Sequence, residues 1–280
     1  MEVNKIYNED CLDTMAKMPD GFVDLTVTSP PYDNLRTYNG YSFDFEAVAK
    51  ELFRVTKQGG VVVWIVADAT IKGSETGTSF RQALYFKDIG FNLHDTMIYK
   101  KENPVPLTHN RYEQGFEYMF VFSKGKPNVF NPIKEKCKYV GLKKNMNVTL
   151  KEREYVNEIM RKREEVTFVN EYKIIDNVWN FKVGRNNSSK DKEAFKHPAI
   201  FPEELCERHI LSWSNEGDLV YDCFMGSGTT AKMAIINKRN WIGSEISKEY
   251  CEIAEKRISS VLPPSSVSSD QETPKRPEWK

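Results

Sequence analysis

Apolar residues recur along the chain with two spacings, and each spacing predicts one kind of element. Continuous β-prone runs, typical of strands in a buried parallel sheet, occur at residues 5–7, 24–28 and 61–66. Between these runs, helical spacing predicts one helix near residues 12–16 and another near 45–53 that stops at Gly59-Gly60. Strand, helix and apolar strand form a βαβ unit, so we expect an α/β fold with helices on both faces of a parallel sheet.

The alternation of strands and helices continues to about residue 258. The further strands are predicted at residues 93–99, 116–122, 218–221 and 241–245, and the further helices at 80–89, 231–236 and after the capping residue Ser247. Another helix follows residues 197–202 and carries Leu205, Ile210 and Leu211 on its apolar face. From Pro263 onward the sequence is rich in proline, serine and charge, so we expect a disordered tail.

The stretch Asp24-Leu25-Thr26-Val27-Thr28-Ser29-Pro30-Pro31-Tyr32 is the most distinctive one in the chain. A strand runs into a polar pair, and two prolines then hold the backbone nearly rigid. Free carbonyl acceptors, the Ser29 hydroxyl and the aromatic face of Tyr32 come together at this strand end. Such a loop suits a flat group that carries an amino donor, and a nucleobase is such a group.

A glycine-rich junction follows the strand at residues 218–221. Gly226-x-Gly228-x-x-Ala231 opens a helix and Glu245 follows about twenty residues on, which formally matches the dinucleotide-binding fingerprint. Too little chain follows for the second half of a nicotinamide site, so hydride transfer is disfavoured. S-adenosylmethionine fits better, with Asp222 facing its ammonium and Glu245 holding both ribose hydroxyls. The alternative is that both acids are ordinary caps at strand ends.

The charge of the chain is balanced, with 40 basic and 40 acidic residues among 280. Nucleic-acid binding would therefore require a local patch. Residues 126–196 offer one, because basic and aromatic side chains interleave there, as phosphate contact and base stacking require. The alternative interpretation of this segment is a solvated helical hairpin with Glu/Lys pairs.

Cysteine and histidine spacings predict neither disulfides nor a metal site. The five cysteines lack C-x-x-C spacing, and the four histidines lack ligand spacing and are interpreted as loop or capping residues. The beginning of the chain has no signal-peptide core, and no apolar run is long enough to span a bilayer. We therefore expect a soluble cytoplasmic protein with reduced thiols and no membrane partner.

With both motifs in view, the sequence resembles the β class of DNA amino methyltransferases. This class places S/D/N-P-P-Y/F ahead of a glycine-rich cofactor motif, with the target-recognition region between them. The resemblance covers the chain from Tyr7 to about Ile258. The matching pieces are Asn8-Glu9-Asp10-Cys11, Thr28-Ser29-Pro30-Pro31-Tyr32, Glu117 through Phe122-Ser123-Lys124-Gly125, His197-Pro198-Ala199, and Asp222-Cys223-Phe224-Met225-Gly226-Ser227-Gly228-Thr229-Thr230.

The resemblance implies a Rossmann-like methyltransferase fold with a mostly parallel seven-stranded sheet, one antiparallel strand and an inserted lobe. Its implied domains are a catalytic half at residues 1–125, a target-recognition lobe at 126–196, a cofactor-binding half at 197–262 and a tail at 263–280. The implied cofactor is S-adenosylmethionine and the implied partner is double-stranded DNA. A cognate restriction endonuclease is a candidate second partner, and the resemblance allows a monomer or a homodimer.

The resemblance also assigns site residues. Those implied for the cofactor are Asp10, Cys11, Thr28, Asp222, Phe224, Gly226, Ser227, Gly228, Thr229, Glu245, His197 and Pro198, with Asp10 accepting from the adenine amino group. Those implied for catalysis are Ser29, Pro30, Pro31 and Tyr32. The Ser29 side chain and the Pro30 carbonyl would accept from the amino group of a flipped base and localise its lone pair, while Tyr32 would stack on that base.

The target base is the finer question. In this class a serine at the first motif position favours cytosine N4, whereas aspartate is typical of adenine N6, so Ser29 predicts cytosine and leaves adenine as the alternative. Two other function classes stay open. One is a methyltransferase acting on RNA or protein, and the other is a non-enzymatic nucleic-acid-binding module.

Overall fold

The computed structural model describes residues 1–31, 43–104, 110–142, 168–184, 187–198 and 200–262. Its strands are β1 Lys5–Tyr7, β2 Val23–Thr28, β3 Thr56–Val66, β4 Thr70–Ile71, β5 Ser74–Glu75, β6 Asn92–Lys101, β7 Phe116–Ser123, β8 Lys134–Lys136, β9 Tyr172–Ile174, β10 Val178–Phe181, β11 Leu219–Asp222 and β12 Asn240–Ser244. Its helices are α1 Cys11–Ala16, α2 Phe45–Val55, α3 Thr78–Asp88, α4 Glu203–Trp213, α5 Thr229–Ile236 and α6 Lys248–Ser259, with a 3₁₀ helix at Lys192–Lys196.

Eight of the described strands form one sheet in the order β1-β12-β11-β2-β3-β7-β6-β10. Only the pairs that involve β7 are antiparallel, so the expected mostly parallel sheet with one antiparallel strand is confirmed. The sheet has one strand more than the seven expected. The additional strand β10 comes from the segment predicted as a separate lobe, and it pairs with β6 at the sheet edge. The end of that segment therefore packs as part of the main sheet.

Different helices cover the two faces of the sheet. Alternate residues of β3 point to opposite faces, as the two-residue period of a strand requires. Val63 belongs to the core under α4, α5 and α6, and Trp64 belongs to the core under α1, α2 and α3. Burial on both sides explains why β3 reads as a continuous apolar run.

Helix α2 ends earlier than its sequence pattern suggests. Val55 is its last residue and β3 begins at Thr56, so Gly59 and Gly60 lie within the strand. A Cβ atom on Gly59 would lie 2.2 Å from the side-chain carbon Cγ of Asn128. The glycine therefore admits a close approach of the chain that follows β7, and the prediction that it ends a helix is wrong.

Helix α4 presents a different face to the core from the one predicted. Leu205 and Ile210 are fully buried as expected, but Leu211 is 38% exposed. His209 and Trp213 are buried with Leu205, because positions four and eight residues apart share one side of a helix. His209 is thus a core residue of a helix, and its interpretation as a loop or capping residue is wrong.

The remaining expectations concern thiols and membranes. All five cysteines are free. Within the described residues, every helix is too short or too polar to cross a membrane. The predicted disordered tail lies outside the described residues, as do positions 143–167 of the predicted lobe.

Candidate active site

A cleft lies at the sheet edge where the parallel strands end, which is where α/β sheets bind ligands. The loops after β1, β12 and β11 form one half of the cleft, which includes Asp10 and Glu245. The end of β2 and the adjoining ends of β6 and β7 form the other half, which includes Ser29 and Glu117. We call these the cofactor half and the acceptor half. The two motifs singled out in the sequence thus meet in one cleft, one in each half.

Most of the predicted site residues line this cleft. Those that do are Asp10, Cys11, Ser29, Pro31, His197, Phe224, Gly226, Ser227, Thr229 and Glu245. Those placed behind or beside it are Thr28, Pro30, Pro198, Asp222 and Gly228. Tyr32 lies outside the described residues.

Asp222 lies behind the cleft instead of facing a ligand ammonium. One carboxylate oxygen accepts from the Thr28 hydroxyl at 2.7 Å and from the Phe224 amide at 3.1 Å, and the other accepts from the Thr230 hydroxyl at 2.7 Å. Burial raises the pKa of Asp222, and these three hydrogen bonds oppose the shift by stabilising the carboxylate. Asp222 therefore joins the end of β2 to the loop that precedes α5.

Glu245 directly follows β12 and lines the cofactor half. Its two carboxylate oxygens accept from the Gly226 amide and the Ser247 amide, both at 2.8 Å. Burial raises the pKa of Glu245, and the two amides oppose that shift. An ionised carboxylate has about four acceptor sites, so Glu245 retains capacity for further hydroxyl donors. This capacity fits a ribose with two hydroxyl groups.

Two glycines of the loop are required by close contacts. Gly226 has a φ of 51°, and a Cβ there would lie 2.9 Å from the His197 Nε2 atom. Gly228 has a φ of 77°, and a Cβ there would lie 2.9 Å from the Cβ of Ala254 on α6. The His197 ring packs edge-on against Tyr250 with ring centroids 4.3 Å apart. The loop is thus held between His197 on one side and α6 on the other.

Asp10 caps a helix and also lines the cleft. Its side chain accepts from the Leu12 amide at 2.8 Å and so caps α1, and the residue also lines the cofactor half. The neighbouring Cys11 lines the same half. Burial raises the pKa of the Cys11 thiol to about 12, so the thiol is neutral at physiological pH.

A buried ionic cluster behind the glycine loop was missed by sequence reasoning. The fully buried Arg257 guanidinium donates to the Ser227 hydroxyl at 2.8 Å, to Asp191 at 3.0 Å and to Glu203 at 2.6 Å. Lys232 reaches the same Glu203 oxygen at 2.9 Å. Arg257 reads in sequence as a basic residue in the last turn of α6, and nothing local indicates its burial.

The wall of the acceptor half was also missed. Tyr99 of β6 and Glu117 of β7 are paired in the strand register, and both line the cleft. The Lys101 ammonium lies 2.7 Å from a Glu117 oxygen. Burial, followed by the nearby Glu117 charge, raises the pKa of Tyr99, so Tyr99 keeps its hydroxyl proton. Glu117 belongs to a sequence segment that matched the family, but neither strand by itself indicates that β6 and β7 pair and bring Tyr99 beside Glu117.

The β8–β9 hairpin of the predicted lobe exposes aromatic side chains beside charged ones. Tyr139, Phe168 and Tyr172 are all more than half exposed. Lys173 pairs with Glu135 across the hairpin at 2.8 Å. Strands β8 and β9 and exposed rings are thus found in the described part of the lobe, and residues 143–167, on which the helical-hairpin alternative mainly depends, lie outside the described residues. In the described ranges, no cluster of histidine, cysteine and acidic residues could hold a metal ion.

The mostly parallel sheet with β7 inserted antiparallel, and the glycine loop at its carboxyl edge, define a Rossmann-like methyltransferase. The chain belongs to the N6_N4_Mtase family of DNA methylases, whose model matches residues 23–256. The resemblance to the β class is thereby confirmed, and the protein is a DNA methyltransferase of the cytosine-N4/adenine-N6 class.

Similar proteins agree with this assignment. The orphan methyltransferase M.BamHII of Bacillus amyloliquefaciens is 57% identical over 244 residues, which cover 87% of this chain and 91% of that protein. The type II methyltransferase M.BglII of Bacillus subtilis is 30% identical, over 92% of this chain and 69% of that protein.

Two solved structures share the fold at lower identity. The cytosine-N4-specific PvuII DNA methyltransferase has a TM-score of 0.68 and 21% identity, with 96% of this chain and 89% of that chain covered. TTHA0409 of Thermus thermophilus, a DNA modification methylase described in complex with S-adenosyl-L-methionine, has a TM-score of 0.58 and 23% identity over 92% of this chain and 96% of that chain.

Proposed function

We propose that this enzyme transfers a methyl group from S-adenosylmethionine to the exocyclic N4 of a cytosine flipped out of duplex DNA. The observation that carries the choice of cytosine is Ser29, which places a hydroxyl in the acceptor half where adenine enzymes of the class carry a carboxylate. The alternative within the same class is adenine N6.

The residues of the cofactor half suit the methyl donor. Glu245 takes the ribose hydroxyls, Asp10 accepts from the adenine amino group, and Phe224 contributes an aromatic surface beside them. Gly226 and Ser227 bring the backbone close to the methionine part. When bound, S-adenosylmethionine would supply an activated methyl carbon: its C–S bond would break as the C–N bond forms, S-adenosylhomocysteine would leave, and the amino nitrogen would release one proton to solvent.

The acceptor half prepares the attacking nitrogen. The amino nitrogen of cytosine is a weak nucleophile because its lone pair is delocalised into the ring. The Ser29 side chain and the Pro30 carbonyl accept from this amino group and draw its nitrogen toward tetrahedral geometry, which localises the lone pair. The two prolines hold these acceptors in place, so positioning supplies most of the rate. Tyr32 stacks on the flipped base.

Duplex DNA is bound by the segment at residues 126–196. Its exposed rings Tyr139, Phe168 and Tyr172 offer stacking surfaces beside basic side chains. Deleting the segment would also remove β10 and Asp191 from the core. Point variants such as Tyr139→Ala and Tyr172→Ala therefore test this role better. We expect each to weaken DNA binding while leaving S-adenosylmethionine affinity unchanged, and unchanged DNA affinity in both would contradict the role.

The test of the proposed reaction is methyl transfer to mixed genomic DNA from labelled S-adenosylmethionine, followed by nucleoside digestion and mass analysis. The expected product is N4-methylcytosine. N6-methyladenine would overturn the inference from Ser29. No product in DNA, together with transfer to RNA or protein, would overturn the choice of substrate.

A further inference from the structure

The acceptor half has a wall across from Ser29 to which the proposed reaction assigns no role. Glu117 lies near the beginning of β7 and Tyr99 near the end of β6, directly opposite each other in the register. We propose that this pair reads the flipped base, with Glu117 accepting from the exocyclic amino group and Tyr99 donating to the adjacent ring nitrogen. The inference rests on the proposed function, because it requires a base in the cleft.

The sheet places this wall at a suitable distance from Ser29. Strand β3 alone separates β2 from β7. Adjacent strands are about 4.8 Å apart, so the strands that carry Ser29 and Glu117 are roughly 10 Å apart. Such a gap accommodates the width of a base between the side chains on its two sides. Ile200 and Phe201 also line the cleft and add apolar surface for the faces of the ring.

The chemistry of the pair matches one kind of base edge. A carboxylate only accepts hydrogen bonds, and a protonated tyrosine can donate one. Cytosine and adenine both present an amino donor beside a ring-nitrogen acceptor. Thymine and guanine present a carbonyl acceptor beside a ring N–H donor, which is the reverse order. The order of Glu117 and Tyr99 therefore selects amino-bearing bases. Glu117 accepts from the amino proton that lies beside the ring nitrogen, and the Ser29 side chain and the Pro30 carbonyl accept from the other proton.

Contacts of the described residues position Glu117 and keep the proton on Tyr99. The Lys101 ammonium lies 2.7 Å from a Glu117 oxygen and helps to fix the position of that side chain. Tyr99 is only 3% exposed, and its burial and the nearby Glu117 charge disfavour the phenolate. An acceptor and a donor therefore stand side by side at neutral pH. This edge recognition is available only after the base has left the duplex.

The test pairs protein variants with base analogues in a duplex that carries the target site found by methylation mapping. The target cytosine is replaced by 2-pyrimidinone, or the target adenine by purine, and each replacement removes only the amino group. Removing the amino group also weakens base pairing and makes flipping easier, so the quantity compared between variants is the ratio of the two dissociation constants, with wild type as the reference. Glu117→Leu is expected to shift this ratio toward the analogue by about 10-fold or more, because one charged acceptor for the amino group is gone while Ser29 and Pro30 keep theirs. Glu117→Gln keeps an acceptor oxygen and is expected to restore part of the preference.

The ring nitrogen is tested in the same way. Replacing it by carbon, as in 3-deazacytosine or 1-deazaadenine, is expected to disfavour the analogue more in wild type than in Tyr99→Phe, which lacks the donor. Tyr118→Phe is the matched control, because Tyr118 lies on β7 but packs against Phe80. Glu102→Leu is the control for Glu117, since Glu102 lies outside the cleft. Both controls are expected to keep the wild-type preferences.

The possible outcomes separate this inference from the function on which it rests. If wild-type enzyme transfers no methyl group to DNA, the proposed function fails before any variant is measured. If wild type is active and both Glu117 variants keep the full preference for the amino group, the reading role of Glu117 is wrong. Binding of S-adenosylmethionine shows whether Glu117→Leu is folded. If it is not, Glu117→Gln alone tests the reading role of Glu117. The full wild-type preference for the amino group in Glu117→Gln would then overturn that role.

Discussion

The Thr28 hydroxyl donates a 2.7 Å hydrogen bond to the buried Asp222 carboxylate, across 194 positions of the chain. Thr28 ends β2, immediately before Ser29, and Asp222 ends the neighbouring strand β11, immediately before the glycine loop. One hydrogen bond thus connects the acceptor half of the cleft to the cofactor half. We infer that it helps to set the distance over which the methyl group moves.

Thr28→Val removes this donor without changing the shape of the side chain. Hydrogen bonds to charged groups contribute about 1.5–3 kcal/mol, and the free energy of unfolding is expected to fall by that amount. The turnover rate should fall more than S-adenosylmethionine affinity, because the separation of the two halves changes. Urea denaturation and steady-state kinetics measure the two effects.

Thr26→Val is the matched control on the same strand. The Thr26 hydroxyl is buried and has no hydrogen-bond partner in the described residues. Its removal is therefore expected to leave stability unchanged or to raise it by about 1 kcal/mol. Equal losses in the two variants would contradict a specific role for the Thr28–Asp222 bond.

Arg257→Met tests the ionic cluster behind the glycine loop. It leaves Asp191 and Glu203 with Lys232 as their remaining basic partner, so the loss of stability is expected to be up to about 3–5 kcal/mol. It also releases the Ser227 hydroxyl, so S-adenosylmethionine affinity measured by calorimetry should fall. Lys238→Met, at the exposed pair with Glu216, is expected to cost less than about 1 kcal/mol. Unchanged cofactor affinity in Arg257→Met would separate the cluster from the site.

Gly228→Ala tests the packing of the loop on α6. Alanine at this positive φ would strain the backbone, and its Cβ would lie 2.9 Å from the Ala254 Cβ. Gly73→Ala shares the positive φ but has no atom within 4 Å, so it isolates the backbone strain. We expect Gly228→Ala to be the more destabilising by about 1–3 kcal/mol in thermal or urea unfolding. Equal losses of stability in the two variants would mean that α6 moves away from the new Cβ at no cost.

His209 gives stability a pH dependence. Burial lowers its pKa to about 3, from 6.5 for an ordinary imidazole. The unfolded chain therefore binds a proton below about pH 6.5 that the folded chain binds only near pH 3. Stability is lost as pH falls through this window, by up to about 1.4 kcal/mol per pH unit. His209→Phe is expected to reduce the slope of unfolding free energy between pH 6 and pH 4, and an unchanged slope would contradict the assignment.

Much of the fold follows from local patterns. The strand at β2, the helix α6 with Ser247 at its cap, and the order of the two motifs are all visible in the sequence, because periodicity and capping are local. The predicted end of α2 was wrong because glycine is common both at helix ends and at close contacts within strands, and Gly59 is of the second kind. The contact with Asn128 that decides between these uses lies 69 positions away.

The candidate site divides in the same way. Ser29 and Glu245 carry their chemistry in recognisable motifs. Tyr99, Glu117 and Arg257 do not, because their positions depend on the insertion of β7 beside β6 and on the packing of α6 against the loop. Asp222 was predicted to face the ammonium of the cofactor, whereas its carboxylate accepts from Thr28, Phe224 and Thr230. A carboxylate at a strand end can do either. Only the tertiary structure distinguishes these two orientations.

The most direct measurement compares product and cofactor affinity in wild type and Ser29→Ala. Nucleoside mass analysis gives the methylated base, and calorimetry gives the dissociation constant for S-adenosylmethionine. We predict N4-methylcytosine as the product of wild type. In Ser29→Ala the methyl transfer rate is expected to fall by roughly 100-fold or more, as when an electrostatic donor or acceptor is lost at a reacting centre. The dissociation constant of Ser29→Ala for S-adenosylmethionine is expected to equal that of wild type. A wild-type transfer rate in Ser29→Ala, or a parallel loss of cofactor affinity, would contradict the division of the cleft into an acceptor half and a cofactor half.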